Sequence, residues 1–333
     1  MTITCYLRLS RVTPLLLGMI GAAPALAQTY IYAEVLAMAR HTDVNVLDPF
    51  EDSDFVSREG GAPFGRISAL ADSDHSPVEY NGFGTSWSQV SVGGVHVYAL
   101  AQSVAGPSGP SNATGSGRAT GIVSDFFGLS VPGYANGAAF TVTAQVRVDG
   151  SAGAVTTPSW TGASQENRAD AFSYWQSWIR VIQGANGPNL VELRAREDCN
   201  ARTSFDTPPG CVSSGNAGTQ TITFPMINNS GLVQLDMRGW ASAGTSVNQS
   251  IGLASADSWS DLGHTVDWGG ISELRDANNQ PVTDFSAFSG TSGFDYRNAY
   301  AAAVPEAPSS LLLMAGFGLL GGWLRRRGAR RAG

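Results

Sequence analysis

Apolar and polar residues alternate along most of this chain, and almost no stretch shows the three-to-four-residue spacing of an amphipathic helix. A period of two places successive side chains on opposite faces of an extended strand. Along 233–238 the odd-numbered residues are apolar and are predicted to face a core, whereas Gln234, Asp236 and Arg238 are predicted to face water. Along 140–148 the even-numbered residues share one apolar face in the same way. The clearest predicted strands are Val90–Leu100, Gly121–Leu129, Phe140–Val148, Phe172–Ile182, Leu190–Ala195, Thr219–Phe224 and Leu232–Trp240.

Polar turn signals separate these runs, as at Pro132-Gly133, Asn136-Gly137 and Asp149-Gly150. Many short strands joined by polar turns predict an all-β fold, a β-sandwich of jelly-roll type. The segment Tyr30–Arg40 fits either a helix or a strand. The segment Gly106–Gly117 is rich in Gly, Ser and Pro, which predicts a flexible coil. It is either a linker between two domains or, as we favour, a long loop of one sandwich.

Residues 1–27 have the layout of a secretory signal peptide. Two arginines precede the apolar stretch Leu15–Ala23, and Ala25 and Ala27 form an A-x-A cleavage site. This layout predicts export through the Sec translocon and cleavage by signal peptidase, which leaves Gln28 as the new N-terminus. The alternative is an uncleaved membrane anchor, although the apolar stretch is short for that role.

The other end of the chain carries a second apolar run, Ser309–Leu324, which contains no charged residue. Its sixteen residues are fewer than the roughly 20 that span a bilayer comfortably, so a buried core helix is the alternative. A cluster of arginines follows directly and argues for a single transmembrane helix with a cytoplasmic tail, because such residues do not cross a membrane readily. These stop-transfer residues are Arg325, Arg326, Arg327, Arg330 and Arg331.

A proline-bracketed acidic motif, Val304-Pro305-Glu306-Ala307-Pro308, precedes this helix. The motif, helix and basic tail of residues 304–333 together resemble the PEP-CTERM sorting signal of Gram-negative exported proteins. That family usually has Val-Pro-Glu-Pro, so Val304, Pro305 and Glu306 match and Ala307 departs from it. The resemblance implies recognition and processing by an exosortase, a membrane protease-transpeptidase. It further implies final residence at the cell surface or in an extracellular polysaccharide matrix.

The chain therefore divides into three parts: residues 1–27, an exported body of 28–303, and the sorting signal of 304–333. The body resembles, more weakly, PEP-CTERM proteins of unknown function. It holds 26 of the 27 acidic residues and 13 of the 20 arginines, and the chain has no lysine. Such an acidic body argues against a nucleic-acid partner, which requires clustered basic residues.

Two cysteines, Cys199 and Cys211, remain after removal of the signal peptide. An even pair in an exported chain predicts a disulfide, and closing a loop of this size stabilises a fold by about 3 kcal/mol. A metal site would need further ligands, and no histidine lies between Gly184 and Gly263. The bridge also removes both sulfur atoms as candidate nucleophiles.

Four carboxylates lie within seven residues of one another: Asp48, Glu51, Asp52 and Asp54. Calcium binds six to eight oxygen ligands, and loops of extracellular sandwiches often supply them. No complete D-x-[DN]-x-[DN]-G loop is present, however. The alternatives are therefore a solvated acidic loop, which we favour, and a calcium site.

The run from Phe172 to Ile182 places aromatic residues on both sides of one predicted strand. By alternation, Tyr174 and Trp178 point one way with Phe172, and Trp175 points the other way with Ile179. One set must belong to the core, and the other is free to face solvent. Solvent-facing aromatic rings stack on sugar rings, although packing is the commoner role of tryptophan.

Catalytic motifs are weak. The chain contains neither a G-x-S-x-G nucleophile elbow nor an H-E-x-x-H zinc motif, and His96 lies within an apolar strand. A letter match to G-x-G-x-x-G at 316–321 lies inside the apolar C-terminal run and does not follow a strand. Together with the resemblance to PEP-CTERM proteins, which implies a surface or matrix location, this predicts a non-enzymatic exported protein without a cofactor. The alternative is a carbohydrate-binding module or a glycan-active enzyme, with exopolysaccharide as the partner.

Overall fold

A computed structural model describes residues 29–43, 50–60, 67–72, 80–105, 111–158, 168–185, 187–202, 210–249 and 254–300. The predicted signal peptide with its cleavage site at Ala25, Ala27 and Gln28 lies outside the described residues. So does the predicted sorting signal of 304–333. Within the described ranges there is no helix of the length and apolarity needed to cross a membrane.

The regular structure of the described residues consists of strands. In chain order they are β1 (Tyr30–Asp43), β2 (Phe50–Gly60), β3 (Ile67–Asp72), β4 (Tyr80–Ser91), β5 (Gly94–Ala105), β6 (Ser111–Ser130), β7 (Ala139–Pro158), β8 (Arg168–Gln183), β9 (Asn189–Arg202), β10 (Gly210–Gly215), β11 (Gly218–Ile227), β12 (Val233–Gln249), β13 (Ala254–Asp276) and β14 (Ser286–Phe288). The all-β prediction is confirmed.

These strands form two antiparallel sheets that pack face to face as a sandwich. The larger sheet has the order β10-β9-β8-β12-β6-β1-β2, and the short β14 pairs with β6. The smaller sheet has the order β11-β7-β13-β5-β4-β3. The inward face of each sheet supplies the core, as predicted for the even-numbered residues of 140–148, which are all buried.

Three local predictions differ from the structure. The run Val90–Leu100 is not one strand, because β4 and β5 meet there in a tight turn at Val92-Gly93. Part of the predicted coil, from Ser111 onward, is the start of β6. Asp149-Gly150 is not a turn, since β7 continues through it. The ambiguous segment Tyr30–Arg40 is part of β1.

The core is thick at one end of the strands. Phe127, Trp268 and Tyr296 are buried there, and the rings of Phe127 and Tyr296 stack with their centroids 4.1 Å apart. The indole Nε1 of Trp268 donates a hydrogen bond of 2.8 Å to the carbonyl oxygen of Tyr296. Large side chains therefore hold the two sheets apart at this end.

The core is thin at the opposite end. Between 113 and 121 the inward residues of β6 are only Ala and Gly, and between 82 and 88 those of β4 are only Gly and Ser. A Cβ atom built on Gly82 would lie 2.1 Å from the carbonyl oxygen of Thr114. One built on Gly84 would lie 2.1 Å from that of Ser116. The backbones of the two sheets thus touch, and the sandwich is wedge-shaped.

A buried carboxylate, Asp125, joins the two ends of the described body at the thick end. Its side chain lies in the core and is 1% exposed. It accepts hydrogen bonds from four hydroxyl groups, those of Thr29 (2.6 Å), Ser289 (3.0 Å), Ser292 (2.6 Å) and Tyr296 (2.8 Å). Burial, together with the charge of Asp125, raises the pKa of Tyr296 well above its usual value, so its hydroxyl remains a donor.

Candidate functional site

The two faces of β8 carry the aromatic side chains as the sequence predicts. Trp175 and Ile179 are buried in the core. Phe172, Tyr174 and Trp178 lie on the outer face of the larger sheet, where Phe172 is 47% exposed and the other two are half-buried. This outer face is the candidate site.

Trp178 does not present a bare ring, because arginine side chains surround it. The guanidinium carbon of Arg180 lies 4.1 Å from the ring centroid, that of Arg194 4.8 Å and that of Arg238 5.1 Å. Each contact is a cation–π interaction, which holds a guanidinium group in place with a modest gain in free energy. The buried indole Nε1 of Trp178 has no hydrogen-bond partner among the residues that the structure describes.

Asp236 explains how these arginines are held together. The sequence predicts that Asp236 faces water, but its side chain is only 2% exposed. It points to the outer face as alternation requires, and the guanidinium groups of Arg180 and Arg238 cover it. Arg238 donates to it at 3.0 Å, and Arg180 donates through both Nε, at 3.1 Å, and Nη2. One carboxylate is thus shared by two guanidinium groups, which leaves a net positive charge.

Strand β9 adds more exposed arginines beside this cluster. Arg194 pairs with Glu192 at 2.7 Å, and Arg196 pairs with Asp198 at 2.6 Å. The guanidinium carbon of Arg196 also lies 5.2 Å from the ring centroid of Tyr174. Exposed pairs of this kind stabilise a fold by about 0–1 kcal/mol, so a ligand can displace one partner readily.

A trench crosses the outer face above the thin end of the sandwich. Phe172 of β8 and Met38 of β1 line its two sides, and its floor consists of small residues such as Thr114, Ser116 and Gly244. The ring of Phe172 reaches across Gly244, where a built Cβ would lie 2.3 Å from it. The trench has a volume of about 290 Å³, which suits one small ligand group.

A second, more polar hollow of about 580 Å³ adjoins the trench toward the ends of the strands. Arg40 and Thr114 line both hollows, so they are continuous. The second hollow adds amide and charged groups from β6, β8 and β12, namely Asn112, Arg168, Asp170 and Asn248. Asp170 pairs with Arg168 at 2.5 Å and with Arg202 at 2.8 Å.

Two further arginines stand at the trench. Arg40 lines it, and Arg118 lies just beyond its lining residues, as the next outward residue after Ser116 on β6. Neither Arg40 nor Arg118 forms an ion pair with any side chain that the structure describes. Among the described side chains, these two arginines thus differ from the paired arginines of the same face.

The described side chains of the outer face carry more positive than negative charge, although residues 28–303 as a whole are acidic. The described side chains on this face include eight arginines and six carboxylates. The arginines are Arg40, Arg118, Arg168, Arg180, Arg194, Arg196, Arg202 and Arg238, and the carboxylates are Glu34, Glu59, Asp170, Glu192, Asp198 and Asp236. Most of the positive charge of the body is thus collected on one face.

The predicted calcium ligands do not form a described loop. Asp48 lies outside the described residues, whereas Glu51, Asp52 and Asp54 lie in the edge strand β2. Asp52 is exposed and Asp54 is half-buried. The expectation of a loop is therefore wrong for residues 51–54, and calcium binding there stays an untested alternative.

The two cysteines form the predicted disulfide. Cys199 of β9 and Cys211 of β10 lie opposite each other with their Cα atoms 4.0 Å apart, so the bridge fastens the edge strand. Glu197 lies close enough to join them in a three-ligand group. Its carboxylate instead accepts hydrogen bonds from Trp175 Nε1 at 2.9 Å and from the backbone N–H of Ala152 at 3.0 Å.

A buried acid–base pair lies under the turn between β4 and β5. His96 Nε2 lies 3.5 Å from Asp267 Oδ1, and both side chains are largely buried. Burial raises the pKa of Asp267 to about 7, against a smaller opposing effect of Arg147. Tyr300 covers this site, with its ring centroid 6.2 Å from that of His96. The pair is therefore enclosed and has little room for a substrate.

The other histidines and tryptophans add little to the outer face. His41 and His264 lie in β1 and β13, and His75 lies outside the described residues, as does Trp160. Trp268 is core, Trp259 is 37% exposed on the smaller sheet, and Trp240 is half-buried on the outer face.

The fold and this face define a class: a two-sheet antiparallel β-sandwich with an arginine- and aromatic-rich trench on one outer surface. Comparisons with protein-family models, with curated proteins and with solved structures find no match to this chain. The geometry of the face and the sequence signals therefore carry the functional argument.

Proposed function

We propose that this protein is an exported, non-enzymatic surface or matrix protein that binds polysaccharide on the outer face of its larger sheet. The observation that carries the proposal is the trench between Phe172 and Met38, which sets a largely exposed aromatic ring beside a floor of small polar residues. Aromatic rings next to hydrogen-bonding groups suit the apolar faces and hydroxyl groups of sugars.

The carboxylates near the trench support binding in preference to hydrolysis. Glycoside hydrolysis needs two carboxyl groups that act on the same bond, one of them as a proton donor. Asp170 is paired with Arg168 and Arg202, and Asp236 with two further arginines. Both carboxylates are thus held by guanidinium groups and are not arranged as a pair that acts on one bond.

The sequence signals supply the proposed route to the surface. The Sec translocon and signal peptidase would export the body, and the helix of 309–324 would hold the precursor in the inner membrane with its C-terminus in the cytoplasm. An exosortase would then act near Val304-Pro305-Glu306, a few residues beyond the end of the described sandwich at Tyr300. The repeated crossing of the chain between the two sheets supports the jelly-roll-like assignment.

Binding is tested with the full chain and the exopolysaccharide of its own host, by co-sedimentation. Phe172→Ala should weaken binding about tenfold or more, because an aromatic contact to a ligand ring is lost. Phe288→Ala is the matched control, since Phe288 is 50% exposed but lies in β14, away from the trench. Equal binding by both variants would refute the assignment of the trench, and release of reducing sugar would identify an enzyme instead.

Sorting is tested separately, by the intact mass of the protein recovered from the host's surface or medium. A species that starts at Gln28 and ends near Pro305 supports both cleavages. A species that still carries Arg325 to Gly333 contradicts exosortase processing and indicates a permanent anchor.

A further inference from the structure

We propose that the polysaccharide is anionic and carries carboxylate groups, and that Arg40 and Arg118 bind these groups at the trench. This inference rests on the proposed function and specifies its ligand. The polymer would lie between Phe172 and Met38, over the small residues of β6 and β12.

The distribution of charge is the first argument. The body carries twice as many acidic residues as arginines, yet the described arginines of the outer face outnumber its carboxylates. A neutral polymer gains nothing from such an arrangement. A polyanion is repelled by the rest of the surface and is directed to this face, which raises both the association rate and the specificity.

The positions of the two arginines are the second argument. Arg40 is opposite Thr114 in the pairing of β1 with β6, and Arg118 lies four residues further along β6. At about 3.4 Å per residue, the two Cα atoms are separated by roughly 13 Å along the strands. This separation exceeds the size of one sugar ring, so each arginine contacts a different sugar of one chain. A guanidinium group binds a carboxylate through two parallel N–H donors, which fixes its orientation.

The depth of the trench is the third argument. Thr114 and Ser116 give the floor small side chains, whereas the ring of Phe172 lies across Gly244 on one side and Met38 lines the other side. A ligand ring resting on this floor places its substituents at the height of the arginine side chains at the trench. Beyond the trench, Arg194 and Arg196 are 61% and 48% exposed and can exchange their present carboxylate partners for those of a longer polymer.

A carboxylated glycan fits this face better than a nucleic acid does. DNA carries one phosphate charge per roughly 1.7 Å of duplex, and its binding requires many uncompensated cations. Here six carboxylates lie among the eight arginines and would repel such a dense charge. A polyuronate carries only one charge per sugar ring, so its carboxylates can contact arginines of this face and avoid the protein's own carboxylates.

The experiment uses the full chain and two soluble polymers, polygalacturonate as the carboxylated probe and dextran as the neutral one. Affinity electrophoresis or calorimetry measures binding at two salt concentrations. We expect tighter binding to polygalacturonate, weakened several-fold by the higher salt. Arg40→Gln and Arg118→Gln should each weaken it about tenfold and leave the melting temperature unchanged. Arg275→Gln is the matched control, because Arg275 is an exposed arginine of the smaller sheet that pairs with a neighbouring glutamate.

Several results would overturn the inference. Equal affinity for dextran and polygalacturonate would show that the charge of the polymer does not contribute to binding. The proposed binding of a glycan would still hold. Unchanged affinity for polygalacturonate in both arginine variants would show that Arg40 and Arg118 do not bind its carboxylates. Tighter binding of duplex DNA than of polygalacturonate would indicate that the ligand of this face is a nucleic acid and not a glycan. Binding of neither polymer nor the host's exopolysaccharide would reject the proposed function itself.

Discussion

The thin end of the sandwich makes a sharp prediction about Gly84. A Cβ atom at this position would lie 2.1 Å from the carbonyl oxygen of Ser116 and 2.8 Å from that of Met38. Both atoms belong to the backbone of the opposite sheet, so no flexible side chain can move aside. In Gly84→Ala the sheets must separate by roughly 1 Å, which removes close contacts along the whole thin end.

The expected loss of stability follows from this geometry. Overpacking a well-filled core costs about 1–3 kcal/mol, and backbone that cannot move places Gly84→Ala at or above the upper limit. For a domain of this size, about 3 kcal/mol corresponds to a decrease in melting temperature of roughly 6–12 °C.

Urea unfolding followed by tryptophan fluorescence measures the change. Gly290→Ala is the matched control, because a Cβ atom at Gly290 meets no atom within 4 Å. It should change the free energy of unfolding by less than about 0.5 kcal/mol. If Gly84→Ala were as stable as the control, the sheets would not be in contact at this end, and the wedge would be wrong.

Three further predictions concern two buried carboxylates and the disulfide. Asp125→Ala should cost about 3–5 kcal/mol in urea unfolding, because four hydroxyl donors lose their shared acceptor in the core. Burial raises the pKa of Asp267 to about 7 in the folded protein, above its unfolded value near 3.8. The folded state therefore binds the proton more tightly, and ionisation of Asp267 lowers the free energy of unfolding as the pH rises between these two values. The decrease is at most about 1.4 kcal/mol per pH unit. Asp267→Asn should therefore flatten the pH dependence of the melting temperature between pH 4 and 7 and stabilise the protein at pH 8. An unchanged slope would assign that dependence to other groups. Reduction of the bridge between Cys199 and Cys211 should lower the free energy of unfolding by about 3 kcal/mol, and a negligible effect of reductant on the urea midpoint would contradict this.

Alternation predicts most strands and which residues each turns inward, because the period of two is a local property. It predicts that Trp175 and Trp178 lie on opposite faces of one strand, which is correct, but it leaves open which of the two is core. The prediction that Asp236 faces water fails, because a side chain on the outer face of a sheet can still be buried by its neighbours on that face. The cover is Arg180 from β8 and Arg238 from β12 itself, and their contact depends on the register between two strands far apart in sequence.

The misplaced turns have physical causes of the same kind. Gly150 follows Asp149 as in many turns, but it lies against Trp175, where a Cβ atom would approach the indole ring to 2.9 Å. Its role is close packing within a long strand. The true turn at Gly93, with φ of 89°, has a signal in the sequence, the pair Gly93-Gly94, which apolar neighbours on both sides conceal.

The trench could not be read from the sequence. Its residues come from β1, β6, β8 and β12, and only the registers between these four strands bring Phe172, Gly244 and Met38 into one row. The arginines at the trench are likewise scattered along the chain. The composition shows that the body is acidic, but it cannot show that the arginines gather on one face, because a count of residues contains no information about where they lie.

The shared carboxylate of Asp125 has a consequence for the order of folding. Its partner Thr29 is 96 residues earlier in the chain, and Ser292 and Tyr296 are 167 and 171 residues later. The first and last segments of the body must therefore meet before this cluster forms, and such distant contacts form slowly because of the entropy of closing long loops. A chain that enters a secretion channel from its N-terminus cannot complete its core until segment 286–300 has followed. On the proposed export route, the architecture would therefore delay completion of the native state until translocation of the body is nearly finished.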